Sequence, residues 1–150
     1  MPTLFTIGYE QATQPAVVAA LRDAGVEVLA DIRYLPLSRR PGFSKSSLRA
    51  AVEEAGIGYR HFRQLGTPAE GRAAARRGDQ ATLARVYAGQ LELPEALAAM
   101  AELRVLAEDK RVCLLCYERD AAECHRALLF DALFADFARV DLEPNLLTDA

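Results

Sequence analysis

One short block of the chain, residues 116–126, holds the side chains best suited to nucleophilic chemistry. It contains Cys116 and Cys124, and the second cysteine is followed directly by His125 and Arg126. The block runs from the end of a predicted strand into the start of a predicted helix, where unpaired backbone N–H groups and the helix dipole attract anions and favour a thiolate. We therefore expect Cys124 or Cys116 to be a nucleophile, with His125 as a general acid or base.

Charged residues near this block could transfer protons or hold an anion. Glu118 and Asp31 are the candidate proton carriers. Arg119 and Arg126 could each make two parallel hydrogen bonds to a phosphate or carboxylate. Asp31 ends a predicted buried strand, where an ionised carboxylate is costly unless it is paired. Its expected partners are Arg33, Arg119 or a backbone N–H group, so a structural role for Asp31 stays open beside the catalytic one.

A second polar block, residues 31–45, follows another predicted strand. Ser38, Arg39 and Lys45 could surround an anion there, while Phe43 is expected in the core. Including the end of the first strand, the predicted ligand-binding residues are Gly8, Tyr9, Arg33, Ser38, Arg39, Lys45, Arg119 and Arg126. The predicted catalytic residues are Cys124, His125, Cys116, Glu118 and Asp31.

The cysteines also allow a metal site or a disulfide. Cys113 and Cys116 are spaced like zinc ligands. However, residues three apart in a strand point to opposite faces of the sheet, so these two should not bind one ion. Cys113 is expected to be a buried apolar residue. Zinc would need Cys116, Cys124, His125 and a fourth ligand such as His61. A disulfide between Cys116 and Cys124 would act as a redox switch. We expect no metal and no cofactor.

The elements that position these residues alternate between strands and helices. Strands are predicted over residues 4–7, 26–32, 57–62, 112–117 and 139–142. Helices are predicted over residues 15–24, 45–55, 80–91, 94–107 and 120–137. Ser44 is expected to cap the second helix, and Asp120 with Glu123 to form a capping box that opens the last one. Residues 66–78, rich in Gly, Ala and Arg, are expected to be irregular.

This alternation is typical of a single three-layer α/β domain. It predicts a mostly parallel, Rossmann-like sheet of four to five strands with helices on both faces. In such folds ligands bind beyond the carboxyl ends of the strands. Both polar blocks follow predicted strand ends, so we expect one site at that edge of the sheet.

Composition limits the class of protein. The chain has 150 residues, of which 51% are hydrophobic and 26% charged, which predicts one soluble globular domain. No apolar run is long enough to span a bilayer, and no secretory signal is evident. The three cysteines are an odd number, and together these features predict a cytoplasmic protein with reduced thiols and no membrane partner.

Charge is distributed unevenly along the chain. The net charge is −3, yet residues 33–85 contain eleven Lys and Arg against four Asp and Glu. A basic region of this kind could attract an anionic ligand or nucleic acid. A solvated helix surface is the plain alternative. The isoelectric point of about 5.4 argues against a dedicated nucleic-acid binder.

Several motifs together resemble the family called domain of unknown function 488. The resemblance extends from the first strand to the helix after Cys124, and it implies a compact microbial α/β domain with no established reaction. The motifs that carry it are Thr6-Ile7-Gly8-Tyr9-Glu10, Asp31-Ile32-Arg33, Ser38-Arg39-Arg40-Pro41-Gly42-Phe43-Ser44-Lys45, Gly56-Ile57-Gly58-Tyr59, Leu65-Gly66, Cys116-Tyr117-Glu118-Arg119 and Cys124-His125-Arg126.

The leading hypothesis is an enzyme-like domain, a hydrolase or transferase that depends on cysteine and histidine. Its partner would be a small anionic ligand, such as a phosphorylated or nucleotide-like molecule, bound at the strand ends. One alternative is a nucleic-acid-binding module that uses the basic region 33–85. A second alternative is a thiol redox sensor.

Overall fold

A five-stranded sheet forms the centre of the computed structural model, which describes residues 2–146. Its spatial order is β3-β2-β4-β1-β5, and all neighbouring strands are parallel. The strands are β1 (Thr3–Gly8), β2 (Val28–Asp31), β3 (Gly58–His61), β4 (Val112–Cys116) and β5 (Ala138–Leu142). The predicted parallel sheet is confirmed. Its order differs from the usual Rossmann order because β4 lies between β1 and β2.

Six α-helices within residues 2–146 cover both faces of this sheet. They are α1 (Gln14–Asp23), α2 (Lys45–Glu54), α3 (Ala69–Arg76), α4 (Gln80–Leu91), α5 (Pro94–Asp109) and α6 (His125–Leu133). Buried side chains of α1 and α2 pack on one face, and those of α4, α5 and α6 pack on the other. The arrangement is the predicted three-layer α/β fold. No helix in the described range is long and apolar enough to cross a membrane.

The alternation along β4 explains how one strand serves both cores. Val112 and Leu114 belong to the core under α5 and α6, while Cys113 and Leu115 belong to the core under α1 and α2. Cys113 is fully buried, and this burial raises the pKa of its thiol. The prediction that Cys113 is an apolar core residue pointing away from Cys116 is confirmed.

The segment predicted to be irregular contains a helix. Within residues 66–78 the structure has α3, with Glu70 in the first turn and Arg76 in the last turn. Both charges complement the helix dipole, and alanines favour the helical backbone. Gly71 lets this helix pack tightly against the methyl group of Thr67. The prediction for this segment was therefore wrong, because the glycine serves a close contact and does not break the helix.

The second helix begins at Lys45 as predicted, but its capping differs from the prediction, and the last helix begins later than predicted. Ser44 precedes α2, but its hydroxyl makes no capping hydrogen bond and pairs with the backbone of Ser38 instead. Asp120 caps only a short 3₁₀ turn, Ala121–Glu123, through the N–H of Ala122. The N-cap of α6 is Cys124, whose sulfur accepts the N–H of the residue two positions later.

The last helix is shorter than predicted. It ends at Leu133, and the chain turns so that the N–H of Phe137 donates to the carbonyl of Phe134 at 2.8 Å. Both phenyl rings are buried and meet edge to face, with centroids 5.0 Å apart. Burying the two rings on the sheet ends the helix four residues before the predicted position.

Candidate functional site

A cavity of about 740 Å³ opens at the carboxyl ends of β1, β2 and β4. The ends of these strands and the loop that precedes α2 form part of its lining. Helix α3 and the start of α6 form another part. Of the residues predicted for the site, the cavity is lined by Tyr9, Arg33, Ser38, Arg39, Cys116, Glu118, Cys124 and His125. Gly8, Asp31, Lys45, Arg119 and Arg126 lie outside this lining.

Two cysteines meet at the inner wall of the cavity. Cys116 is the last residue of β4, and Cys124 precedes α6. Their sulfurs form a disulfide, although both residues were expected to be reduced. Both residues are almost fully buried, with 1% of Cys116 and 2% of Cys124 exposed. The only other cysteine in the described range, Cys113, is free and buried on the opposite face.

His125 has one ring nitrogen held by the backbone and the other beside the disulfide. Its Nε2 lies 2.7 Å from the carbonyl oxygen of Ile32. Because a carbonyl can only accept, Nε2 carries the proton, and Nδ1 is left with a lone pair 3.6 Å from Sγ of Cys124. Burial, helped by the charge of Arg126, lowers the pKa of His125 to about 4. The ring is therefore neutral at pH 7, with its basic nitrogen toward the sulfur.

The start of α6 adds a donor to the same sulfur. The backbone N–H of Arg126 donates to Sγ of Cys124 at 3.4 Å. An N-cap sulfur is placed at the positive end of the helix dipole. In the dithiol form these two features favour the thiolate of Cys124 over that of Cys116.

The arginines on the cavity wall divide into two kinds. Arg33 donates to the carbonyl of Phe43 at 2.6 Å and to Asp31, and Arg40 donates to the carbonyls of Tyr9 and Ala12. These guanidinium groups fasten the loop of residues 33–43 to the strand ends. Their hydrogen-bonding capacity is largely used within the protein.

Three other arginines leave more of their capacity for a ligand. Arg39 and Arg76 are exposed, and their side chains make no hydrogen bond or ion pair within residues 2–146. Arg72 donates to the carbonyl of Thr67 at 2.9 Å and lies over the ring of Tyr34. We therefore regard Arg39, Arg72 and Arg76 as the candidate anion contacts.

Asp31 is held in a buried cluster and does not line the cavity. Arg33 pairs with both of its carboxylate oxygens, at 2.9 and 2.7 Å, and the hydroxyl of Tyr59 donates to it as well. Burial and the charge of Asp31 raise the pKa of Tyr59. Burial alone would lower the pKa of Arg33, but the hydrogen bond and charge of Asp31 raise it above its usual value. The predicted Asp31–Arg33 pairing is confirmed.

Arg126 is fully buried and bonds to protein atoms. Its guanidinium donates to Oγ1 of Thr6 at 3.1 Å and to the carbonyls of Glu118 and Arg119 at 2.7 and 3.1 Å. Thr6 in turn donates to Asp141 at 2.5 Å. Arg126 therefore holds the loop of residues 118–119, and the prediction that it contacts a ligand was wrong because its guanidinium is buried and bonded to protein oxygens.

Gly8 supports the same loop. A Cβ atom at this position would overlap the carbonyl oxygen of Glu118, so only glycine permits the backbones to approach. The side chain of Glu118 lines the cavity, and burial raises the pKa of its carboxyl group. Arg119 points away toward the carbonyl of Pro144, which accepts from its Nη1 at 2.9 Å.

The part of the cavity formed by α3 was not predicted from the sequence. Thr67, Arg72 and Arg76 line it, and all three fall in the segment that was predicted to be irregular. The acidic first turn and basic last turn of this helix were the available signal. Apolar side chains at the mouth, Leu35 and Leu37, are strongly exposed and were also not predicted.

If Cys116 and Cys124 were reduced, one group of side chains could hold a metal ion. The ligand atoms of Cys116, Cys124 and His125 lie within 4.8 Å of one another. A disulfide supplies no thiolate, so this form is not suited to zinc. His61, considered as a fourth ligand, lies elsewhere, with Nε2 at 2.8 Å from the carbonyl of Arg33.

Comparison with known proteins identifies a family but no relative of known activity. No curated protein and no solved structure matches the chain. The model of a protein family described as Domain of unknown function DUF488 matches residues 13–133. Because this match spans more than half of the 150 residues, the chain belongs to the DUF488 family.

Proposed function

We propose that the domain is enzyme-like and binds a small organic anion in the cavity at the strand ends, where Cys124 of the reduced protein acts as the nucleophile. The substrate class is an organic molecule that carries a phosphate or carboxylate group. The observation that carries the proposal is the shared cavity, which brings Cys124 and His125 together with arginines from two other segments.

The size and lining of the cavity support an organic anion. A volume of about 740 Å³ is within the range of sites for small organic ligands and is larger than an inorganic phosphate requires. Five arginines and a single acidic residue, Glu118, contribute to the lining. Burial raises the pKa of that carboxyl group. The exposed Leu35 and Leu37 offer contacts for an apolar part of the ligand.

The surroundings of Cys124 support its role as the nucleophile. The neutral Nδ1 of His125 can accept the thiol proton, and the N–H of Arg126 can stabilise the thiolate. Cys116 ends a strand and has neither contact. We assign the role of proton donor to Glu118, which lines the same cavity.

The basic region 33–85 gives less support to nucleic-acid binding. Arg33 and Arg40 are occupied inside the fold. Four other arginines of this region form ion pairs with acidic side chains. These pairs are Arg49–Glu53, Arg60–Glu102, Arg77–Asp79 and Arg85–Glu70. This leaves Arg39, Arg72 and Arg76 at the cavity as cations that are available to a ligand.

The proposal is tested by alkylation of the reduced protein with iodoacetamide, with the modified residue located by mass spectrometry. We expect Cys124 to be labelled first, and pyrophosphate or AMP to slow this labelling. Replacing both Arg39 and Arg76 by Gln should remove most of the protection, since these guanidinium groups have no other partners in the described chain.

Arg22→Gln is the matched control. Arg22 is exposed in the last turn of α1, which ends near the amino-terminal edge of the sheet, away from the cavity. This variant should keep the protection of the unsubstituted protein. Labelling of Cys124 that is indifferent to both anions, or preferential labelling of Cys116, would contradict the proposal.

A further inference from the structure

We propose that the Cys116–Cys124 disulfide exchanges with small thiols that carry carboxylate groups, so that the domain is a dithiol–disulfide oxidoreductase with an anionic co-substrate. The inference rests on the proposed function, because the cavity arginines that would bind the substrate anion would also attract the thiol. It adds a reaction and a co-substrate class to that site.

The surroundings of the disulfide support exchange chemistry. A disulfide that only links two segments requires no base, no cation and no cavity beside it. Here Nδ1 of His125 lies 3.6 Å from one sulfur, and both cysteines line a cavity that Arg39 and Arg76 also line. Both cysteines are almost fully buried, and the cavity wall that they line is the side from which a small thiol would approach the bond.

The two sulfurs of the disulfide are not equivalent, because Cys124 lies at the start of α6 and Cys116 lies at the end of β4. Cys124 has the better-stabilised thiolate, because it accepts the N–H of Arg126 at the start of α6. When the reduced protein attacks a small disulfide, Cys124 is therefore the thiol that forms the mixed disulfide, and Cys116 is the resolving thiol. Reduction of the protein disulfide by small thiols passes through the same mixed disulfide in the opposite direction.

The reaction balances as a two-electron exchange. The thiolate of the co-substrate attacks Sγ of Cys124, the Cys116–Cys124 bond breaks, and Cys116 leaves as a thiolate that takes up a proton. A second co-substrate thiolate attacks its counterpart in the mixed disulfide and releases Cys124. Two small thiols are oxidised to their disulfide, and the protein disulfide is reduced to a dithiol. In the reverse direction the small disulfide is the oxidant.

The lining of the cavity selects the charge of the co-substrate. Five arginines line the cavity, and Arg33 is the one among them that is paired with a carboxylate, Asp31, in the described part of the chain. Glu118 is the only acidic residue among the lining side chains. Such a field raises the local concentration of anions and lowers that of cations, and it weakens as salt is added. A thiol with carboxylates should therefore react faster than an amine-bearing thiol of similar size.

The first test compares three reductants on the oxidised protein, namely mercaptosuccinate, 2-mercaptoethanol and cysteamine. Reduction rates are divided by the concentration of each thiolate. We expect mercaptosuccinate to be fastest and cysteamine slowest, with about a tenfold span at low salt. Equal rates, or cysteamine as the fastest reagent, would overturn the inference.

The second test identifies the cysteine that carries the mixed disulfide. Treating the Cys116→Ser variant with the disulfide of mercaptosuccinate should trap an adduct on Cys124, found by peptide mass. The Cys124→Ser variant should form its adduct on Cys116 much more slowly. Faster trapping on Cys116 would overturn the assigned polarity. Circular dichroism of both variants establishes that each one folds.

Arginine variants separate this inference from the proposed function. The double replacement of Arg39 and Arg76 by Gln should reduce the preference for mercaptosuccinate, whereas Arg22→Gln should keep it. If pyrophosphate still protects Cys124 but the three thiols react alike, the exchange is overturned and anion binding stands. If neither effect occurs, both proposals fail.

Discussion

The hydrogen bond from Nε2 of His125 to the carbonyl of Ile32, 2.7 Å long, joins the end of β2 to the start of α6. It determines which ring nitrogen is protonated, and so it leaves Nδ1 as an acceptor beside Cys124. One backbone oxygen thus determines the chemistry available at the sulfur. The two nitrogens of His125 can be tested separately. One substitution can keep the hydrogen bond to Ile32 and remove the acceptor beside Cys124, and another can remove both.

His125→Gln should lower thiol reactivity with little effect on folding. The amide N–H of Gln can still donate to the Ile32 carbonyl, but no basic nitrogen remains near Cys124. In the reduced protein we expect alkylation of Cys124 at pH 7 to slow by about tenfold or more. The rate is measured with iodoacetamide. An unchanged rate would show that His125 does not act as the base.

His125→Leu serves as the structural comparison. It leaves the buried carbonyl of Ile32 without a donor, which should cost about 1–3 kcal/mol of the free energy of unfolding in urea. The Gln variant should lose less. Equal losses would mean that the hydrogen bond to Ile32 contributes nothing to stability.

Stability should fall in mild acid because of His125. Burial lowers its pKa from 6.5 to about 4, so the unfolded chain binds a proton more readily than the folded one between these values. The contribution of the neutral His125 to the free energy of unfolding is complete above pH 6.5 and is lost as the pH falls toward 4. The slope should reach about 1.4 kcal/mol per pH unit for this group. Urea unfolding of the oxidised protein at several pH values measures it.

The His125→Gln variant isolates this effect from the carboxylates. Its free energy of unfolding should change less than that of the unsubstituted protein between pH 6.5 and 4. Parallel curves for the two proteins would contradict the assignment of the neutral histidine.

Tyr59 and Tyr87 should resist ionisation in alkali. Burial and the charge of Asp31 raise the pKa of Tyr59, and burial raises that of Tyr87. A phenol with a raised pKa holds its proton more tightly when folded, so its stabilising contribution is complete below pH 10.0 and declines as the pH rises beyond it. Absorbance of tyrosinate should show these two residues ionising only as the protein unfolds. Titration of all tyrosines before unfolding would contradict this.

The sequence predicted the contacts that are local along the chain. Cys116 and Cys124 are separated by eight positions and lie at adjoining element ends, so their proximity followed from the strand-to-helix pattern. The pairing of Asp31 with Arg33 followed from the cost of burying a carboxylate. The parallel sheet followed from the alternation of strands and helices.

The sequence could not show which arginines are available to a ligand. Arg126 and Arg39 are chemically the same, but one donates to buried protein oxygens and the other is exposed at the cavity. That difference depends on distant partners such as Thr6, 120 positions away from Arg126. For the same reason Arg72 and Arg76 entered the site only when the position of α3 was known.

The buried Asp31 cluster should be sensitive to loss of either partner. Arg33→Met leaves the carboxylate without its bidentate cation and should cost about 3–5 kcal/mol. Tyr59→Phe removes one hydrogen bond to a charged group and should cost about 1.5–3 kcal/mol. Arg49→Gln, which breaks an exposed pair with Glu53, should change stability by less than about 1 kcal/mol. Urea unfolding orders the three, and similar losses in all of them would contradict the buried role of Asp31.

Gly8→Ala should disturb the cavity from outside its lining. The added methyl group would overlap the carbonyl oxygen of Glu118, so the loop of residues 117–119 must move or β1 must shift. We expect a loss of about 1–3 kcal/mol. Because Glu118 lines the cavity, the protection of Cys124 by pyrophosphate should weaken as well.

Gly89→Ala is the control for this change. Gly89 lies in α4, and nothing lies within 4 Å of the position its Cβ would take. Alanine favours a helix interior, so this variant should gain about 0.5–1 kcal/mol and keep the anion protection. The two glycine variants therefore change stability in opposite directions, and only the one at Gly8 changes the site. If Gly8→Ala were as stable as the unsubstituted protein and protected equally by pyrophosphate, the Gly8–Glu118 contact would not position the cavity wall.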